Sequence, residues 1–252
     1  MIIAHRGASH DAPENTLAAI NLAWLQNADA IEVDIHVTKD QHAVVIHDAN
    51  TKRTGDKYLE IMDNTLNDLK KIDIGIRMDD HWKGEVIPTL EEVFYTVPVN
   101  KSVFVEVKCG RRALLPLRKL IHKNIIKASQ IFLMDFDLQN VLAMRNEFPD
   151  IPVLWLYEFK ADSGSAARKI NLNELVKTAL KNRISGLSVE NVPEFDSGFI
   201  QNAKGHGLQL YCWTVNEPDK ADYLFEHRID GIITDRPGWI RNQIKRQAGY
   251  SL

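Results

Sequence analysis

Short apolar runs recur along the chain, at Ile2–Ala4, Ala30–Val37, Val44–Ile46, Val103–Val107, Ile131–Met134, Val153–Leu156, Gly186–Val189, Leu208–Cys212 and Gly231–Thr234. They are rich in Val and Ile and too short for helices, a pattern that predicts strands buried on both faces. Between most of them the apolar positions shift to helical spacing, with start and stop signals. Pro13-Glu14-Asn15-Thr16 precedes Leu17, Ile20 and Trp24, and Thr89-Leu90-Glu91-Glu92 has the Thr-x-x-Glu form of a capping box. Pro149 stops the pattern over Leu138–Phe148, and Gly207 stops the one over Phe199–His206.

Strands alternating with helices predict parallel βα units, and eight such units close a barrel. Nine candidates are one too many. The odd one is Val44–Ile46, which is reached from Val37 through Thr38–Ala43 alone. Six residues are too few for a parallel crossover, so the two runs should pair as an antiparallel hairpin that returns His47 to the level of Asp34. The expected fold is an α/β TIM (β/α)8 barrel forming one domain over residues 1–252. The stretch from Asp48 to Thr89 breaks the rhythm. It is polar, charged and weakly helical around Thr65–Ile72, and it reads as a small inserted subdomain, 48–89, on the face of the hairpin.

Composition adds exclusions. With 34 acidic and 31 basic residues among 252, the net charge is −3, which offers no bulk attraction for nucleic acid or an anionic membrane. Any bound anion must be held by local chemistry. Cys109 and Cys212 make neither a disulfide framework nor a metal-type pair. The opening MIIAHRG has no signal-peptide pattern, and no apolar run approaches the ~18 residues of a membrane span. A cytoplasmic protein with no stable membrane insertion is expected.

Active sites of such barrels form at the carboxyl ends of the strands. Those ends read His5-Arg6-Gly7 on the first strand, Glu32 and Asp34 on the second, His47-Asp48 on the returning hairpin and Glu106 and Lys108 on the third. Trp213 ends the seventh strand and Thr234-Asp235 the eighth. Residues two apart in a strand share a face, so Glu32 and Asp34 point the same way, as do Glu106 and Lys108. Three converging carboxylates repel one another unless a cation sits among them, and oxygen ligands suit one Mg²⁺ or Ca²⁺. Without a cation, the same acids would serve as structural ion-pair partners of Arg6 and Lys108. Soft-ligand zinc is disfavoured for want of a Cys pair or HExxH.

Imidazoles titrate near neutrality, so His5 and His47 are candidates for acid and base across one scissile bond. His10, His42, His81, His122, His206 and His227 fall in loops or helical segments and are expected to face solvent or to cap. Arg6 and Lys108 offer fixed positive charge for an anionic oxygen. No Walker loop or Gly-x-Gly-x-x-Gly is present, so a nucleotide cofactor is not expected. Trp213 either shelves an apolar part of a substrate or fills the barrel mouth, and Cys109 and Cys212 are expected to be inert packing residues.

The stretches AHRGA at 4–8, PENT at 13–16, EVDIHVTKD at 32–40, VVIHD at 44–48, IPTLEEV at 87–93, EVK at 106–108, WTVN at 213–216 and GIITDRP at 231–237 span nearly the whole chain. In this order they resemble the bacterial glycerophosphodiester phosphodiesterases. The resemblance implies a phospholipase-C-like barrel with the family's insertion at about Asp48–Thr89, and a small glycerophosphodiester substrate hydrolysed to an alcohol and sn-glycerol 3-phosphate. It also implies acid–base roles for His5 and His47, metal ligation by Glu32, Asp34 and Glu106, phosphate contacts from Arg6 and Lys108, and a substrate-lining Trp213. One departure stands out: many members have Ser-Phe after the fourth strand, where this chain reads Met134-Asp135-Phe136-Asp137.

Overall fold

Eight parallel strands close on themselves in the computed structural model, which describes residues 1–159, 172–193 and 195–247. They are β1 (Ile2–His5), β2 (Ala30–Val37), β4 (Ser102–Val107), β5 (Ile131–Asp135), β6 (Val153–Tyr157), β7 (Gly186–Glu190), β8 (Gln209–Trp213) and β9 (Gly231–Thr234). The ninth strand, β3 (Ala43–Val45), runs antiparallel to the end of β2, with Ile35 opposite Val45 and Val37 opposite Ala43. It lies outside the closed ring, as the five-residue connection, 38–42, requires. β1 pairs with both β2 and β9, which completes the barrel. The order around it follows the sequence, the layout of a TIM barrel.

Helices α1 (Leu17–Leu25), α3 (Leu90–Thr96), α4 (Leu114–Ile121), α5 (Leu138–Glu147), α6 (Leu172–Lys181), α7 (Ser197–Gly205) and α8 (Pro218–Glu226) connect the strands, and α9 (Pro237–Gln247) follows the last of them. Their starts are chemically marked. Thr16 Oγ1 accepts from Ala19 N at 3.1 Å to open α1, and Thr89 and Glu92 close a reciprocal capping box on α3. None of the helices among the described residues is long and apolar enough to cross a membrane.

Alternate residues of each strand divide the core in two. Outward residues such as Val33, Ile35, Val105 and Leu133 pack under the helices. Inward residues Ile3, Ala30, Phe104, Phe132, Met134, Leu154, Leu156, Tyr211 and Ile233 fill the barrel. Phe104 and Phe132 stack at 4.3 Å between centroids, and Tyr211 meets Phe104 edge-on at 5.0 Å. The barrel is thus a plugged core whose free space lies at its mouth.

Residues 48–89 build around a third apolar cluster of Val44, Ile46, Ile61, Leu69, Ile72, Ile74 and Ile87. The helix expected around Thr65–Ile72 is only α2 (Leu66–Leu69), although Thr65 and Asp68 give it a full capping box. It stops early because the chain becomes extended, with Asp73 bridging to Val86. The Asp73 carboxylate then caps the turn by accepting from Gly75 N and Ile76 N.

Candidate active site

The register between strands decides which charges meet. Parallel pairing sets His5 beside Glu32 on β1 and β2, and Asp34 beside Glu106 on β2 and β4. After His5 the chain turns sharply, with Arg6 at φ +56 and Gly7 at φ +82. A side chain at Gly7 would place its Cβ 2.6 Å from the backbone of Ala19, so only glycine fits between this turn and α1. The turn lets Arg6 N donate to Glu32 Oε2 at 3.0 Å, and it brings the guanidinium back to Asp34, 3.2 Å from Nε to Oδ2.

Among the described residues, Glu32, Asp34 and Glu106 form a group whose ligand atoms all lie within 4.8 Å of one another. Glu32 and Asp34 are each 1% exposed. Asn15, from the loop after β1, donates Nδ2 to Asp34 Oδ2 at 2.9 Å. The other oxygens of the two acids, Glu32 Oε1 and Asp34 Oδ1, are buried without a hydrogen-bond partner. Burial, reinforced by Asp34 and Glu106, pushes the Glu32 carboxyl well above its ordinary range. Burial and Asp34 likewise raise Glu106 to about 7. Asp34 is opposed by burial but held below its ordinary value by Arg6 and Lys108. Unmatched carboxylate oxygens converging on one point are the environment that a hard divalent cation satisfies.

Each of the two candidate histidines has its Nδ1 held by a carboxylate. His5 Nδ1 lies 2.6 Å from Asp235 Oδ1, and His47 Nδ1 lies 2.6 Å from Asp48 Oδ1. Asp235 is steadied by Ser9 Oγ and by Asn216 Nδ2, the latter at 2.7 Å. Asp235 lies low, at about 2, because bonds from His5 and Asn216 outweigh its burial. Asp48 is also brought to about 2, held there against burial by Arg53 and His47. With Nδ1–H donated to the acid, Nε2 of each ring is left for other partners. In His47 it accepts from Lys108 Nζ at 3.1 Å. Burial draws the His47 imidazole below its ordinary value despite the pull of Asp34 and Asp48. Lys108 also donates to Glu106 Oε1 at 2.6 Å. Glu106 and Asp34 keep it charged against the effect of burial.

A cavity of about 70 Å³ opens among these groups. His5, Arg6, Glu32, His47, Glu106 and Lys108 line one side, and Met134, Phe136, Leu156, Trp213 and Ile233 the other. Trp213 is anchored by Nε1 donating to Ser188 O at 3.1 Å, and Phe136 packs edge-on against its ring at 5.6 Å. Asp34 lies just behind the lining, so all eight site residues expected from the sequence converge here.

Several further residues support the site. Asp235 and Asp48 were visible beside the site, but their hydrogen bonds to imidazoles were not. Asn15, Glu14 and Asn216 gave no local signal beyond their motifs. His36 shares the inward alternation of Glu32 and Asp34, a signal that could have found it, and its Nε2 donates to His47 O at 3.1 Å. At the departure after the fourth strand, Phe136 faces the cavity, while Asp135 is 6% exposed, accepts from Asp137 N and is raised by burial to about 6. The cysteines behave as packing residues: burial raises Cys109 to about 11 and Cys212 to about 12.

Residues 5–239 match the Glycerophosphoryl diester phosphodiesterase family. The chain is 31% identical to a glycerophosphodiester phosphodiesterase of Caldanaerobacter subterraneus subsp. tengcongensis, over 98% of each chain. It is 27% identical to a glycerophosphodiester phosphodiesterase of Bacillus subtilis, over 94% of this chain and 84% of that one. Among solved structures, the Thermotoga maritima glycerophosphodiester phosphodiesterase superposes with a TM-score of 0.75 at 26% identity, covering 96% of each chain. An Oleispira antarctica phosphodiesterase in complex with the product sn-glycerol-3-phosphate shares the fold, with a TM-score of 0.83 at 24% identity, covering 97% of this chain and 96% of that one.

Proposed function

The chain belongs to the glycerophosphoryl diester phosphodiesterase family and is a phosphoric diester hydrolase, and on that premise we propose that it cleaves small glycerophosphodiesters to an alcohol and sn-glycerol 3-phosphate, with His5 and His47 as acid–base pair and one divalent cation, Mg²⁺ or Ca²⁺, on Glu32, Asp34 and Glu106. The observation that carries this reading is the pairing of two carboxylate-backed histidines with three converging acids, two of which, Glu32 and Asp34, each keep one buried oxygen without a hydrogen-bond partner.

A bound cation supplies Lewis-acid polarisation of a phosphoryl oxygen. Everything else is done by the chain itself. Arg6 and Lys108 offer cationic donors to the phosphate, and their partial burial strengthens them. An alkoxide is a poor leaving group at neutral pH, so one imidazole protonates the departing oxygen while the other takes the proton of the nucleophile. That nucleophile is either water itself or the substrate's neighbouring hydroxyl, whose cyclic phosphodiester water then opens. Asp235 and Asp48 fix the ring orientations and tautomers. The face of Met134, Phe136, Leu156 and Trp213 shelters the carbon skeleton of the substrate.

We read residues 1–252 as one catalytic barrel and 48–89 as a small insertion that covers the alcohol end of the substrate, since it emerges beside His47. The apolar cluster of that segment supports its integrity as a unit. Glycerophosphocholine tests the main proposal: glycerol 3-phosphate should be released with divalent metal and not after chelation. Full turnover in chelator, or glycerophosphate-free products, would end the reading. Shortening 48–89 should change the relative rates for choline, ethanolamine and inositol diesters, and unchanged ratios would remove the role given to the insertion.

A further inference from the structure

We infer that Arg53 is a positioning residue that locks the His47 and Arg6 limbs of the site to one another; the inference rests on the roles given above to those two residues. Arg53 follows the hairpin, in the segment that leads away from His47. Its Nη1 and Nη2 donate to the two oxygens of Glu14 at 2.6 and 2.8 Å, and its Nε donates to Asp48 Oδ2 at 2.8 Å. Each of these carboxylates already holds one residue of the site. Asp48 Oδ1 meets His47 Nδ1 at 2.6 Å, and Glu14 Oε1 accepts from Arg6 Nη1 at 3.0 Å. One guanidinium therefore closes a continuous chain from imidazole to phosphate-binding arginine. The limbs come from separate loops, one after β1 and one after β3, and meet at this side chain.

The planar fork is what makes the closure possible. It presents donors in fixed directions to two acids at once, whereas a lysine is a single point charge. Arg53 is 46% exposed at its side chain, so its ion pairs are screened and contribute little to folding. Their effect lies in geometry. Reacting groups displaced by about 1 Å can lose about 10²-fold in rate. Released from Arg53, Asp48 is free to rotate on His47, and Glu14 loses the bidentate grip that aims it at Arg6.

Steady-state hydrolysis of glycerophosphocholine and thermal unfolding should be measured for Arg53→Ala and Arg53→Lys, and for Arg53→Ala combined with Glu14→Gln or Asp48→Asn. His47→Ala and Arg6→Ala serve as controls. Arg53→Ala should lower kcat/KM by about 10–100-fold, the usual effect of losing a supporting partner behind a reacting group, with Tm shifted by less than about 4 °C. Arg53→Lys should restore little of the loss. In the Asp48→Asn background the alanine change should no longer lower kcat, and in the Glu14→Gln background it should no longer raise KM. Full recovery with lysine would reduce Arg53 to a bulk charge, and additive losses in both backgrounds would break the link. A loss of activity that tracks a fall in Tm would make the residue structural. Each of these outcomes overturns the inference, as does wild-type turnover in Arg53→Ala when His47→Ala has lost about 10²-fold or more. Near-parental turnover in His47→Ala would instead overturn the function it rests on.

Discussion

The two sides of the barrel mouth are built from the same kind of strand and reach opposite electrostatic states. On β1, β2 and β4 the inward positions change from Ile3, Ala30 and Phe104 on the barrel floor to His5, Glu32, Asp34 and Glu106 at the mouth. On β5, β6 and β8 they stay apolar to the rim, as Met134, Leu156 and Trp213. The charged side carries two buried carboxylate oxygens with no hydrogen-bond partner, Glu32 Oε1 and Asp34 Oδ1, while the Trp213 indole across the cavity is bonded and packed. Native interiors tolerate unmatched carboxylates where a ligand completes them. The charged side should therefore govern turnover and metal, and the apolar side substrate affinity.

The largest test of that division is on the histidines. His5→Ala and His47→Ala should each lower kcat by ~10²–10⁴-fold, from a bell-shaped pH profile in the parent. A nitrophenyl diester needs little protonation of its leaving group. Loss of the general acid should then matter far less on that substrate than on glycerophosphocholine, while loss of the base should matter equally on both. Equal losses on both substrates in both variants would remove the division of labour.

The acid cluster offers a readout apart from activity. In chelator, Glu32→Gln should unfold at a higher temperature than the parent at pH 8, because it relieves a buried carboxylate of its repulsion by Asp34 and Glu106. Added Mg²⁺ or Ca²⁺ should stabilise the parent by about 2.7 kcal/mol at one hundred times Kd, and the variant much less. Equal stabilisation of the two proteins would place the cation elsewhere.

Across the cavity, Trp213→Ala should raise KM about tenfold, equivalent to about 1.4 kcal/mol, with kcat within a few-fold of the parent. An unchanged KM with a lowered Tm would instead make Trp213 a plug of the mouth.

The last effect falls on stability and leaves turnover aside; it concerns Asp135, behind the apolar side. Burial raises its folded-state value to about 6, against about 4 when unfolded. Between about pH 4 and pH 6 the folded chain then binds more protons than the unfolded one, so this residue makes stability fall as pH rises. Asp135→Asn should flatten that fall, by at most about 3 kcal/mol in denaturant unfolding compared at pH 4 and pH 7.5. An unaltered pH slope would show that Asp135 keeps its ordinary affinity for protons.

The sequence on its own determined the features that depend on local repetition. Val- and Ile-rich runs of strand length, the short Thr38–Ala43 connection and the Thr16 and Thr89 caps set the barrel, the extra hairpin and the helix starts. The two-residue alternation of a strand likewise put Glu32 with Asp34 and Glu106 with Lys108 on one face. Only the tertiary structure decided the partners. Asp235 reaches His5 because β9 closes the ring onto β1, 230 positions away in the chain. Register between β2 and β4 brings Asp34 to Glu106, and Arg53 meets Glu14 because two loops converge above the mouth. The single turn of α2 and the course of residues 48–89 also escaped the sequence pattern, since bridges such as Asp73 to Val86 override a weak helical preference. Periodicity is a property of neighbours along the chain, whereas strand register, ring closure and the hydrogen bonds that orient a catalytic side chain depend on residues that only folding makes adjacent.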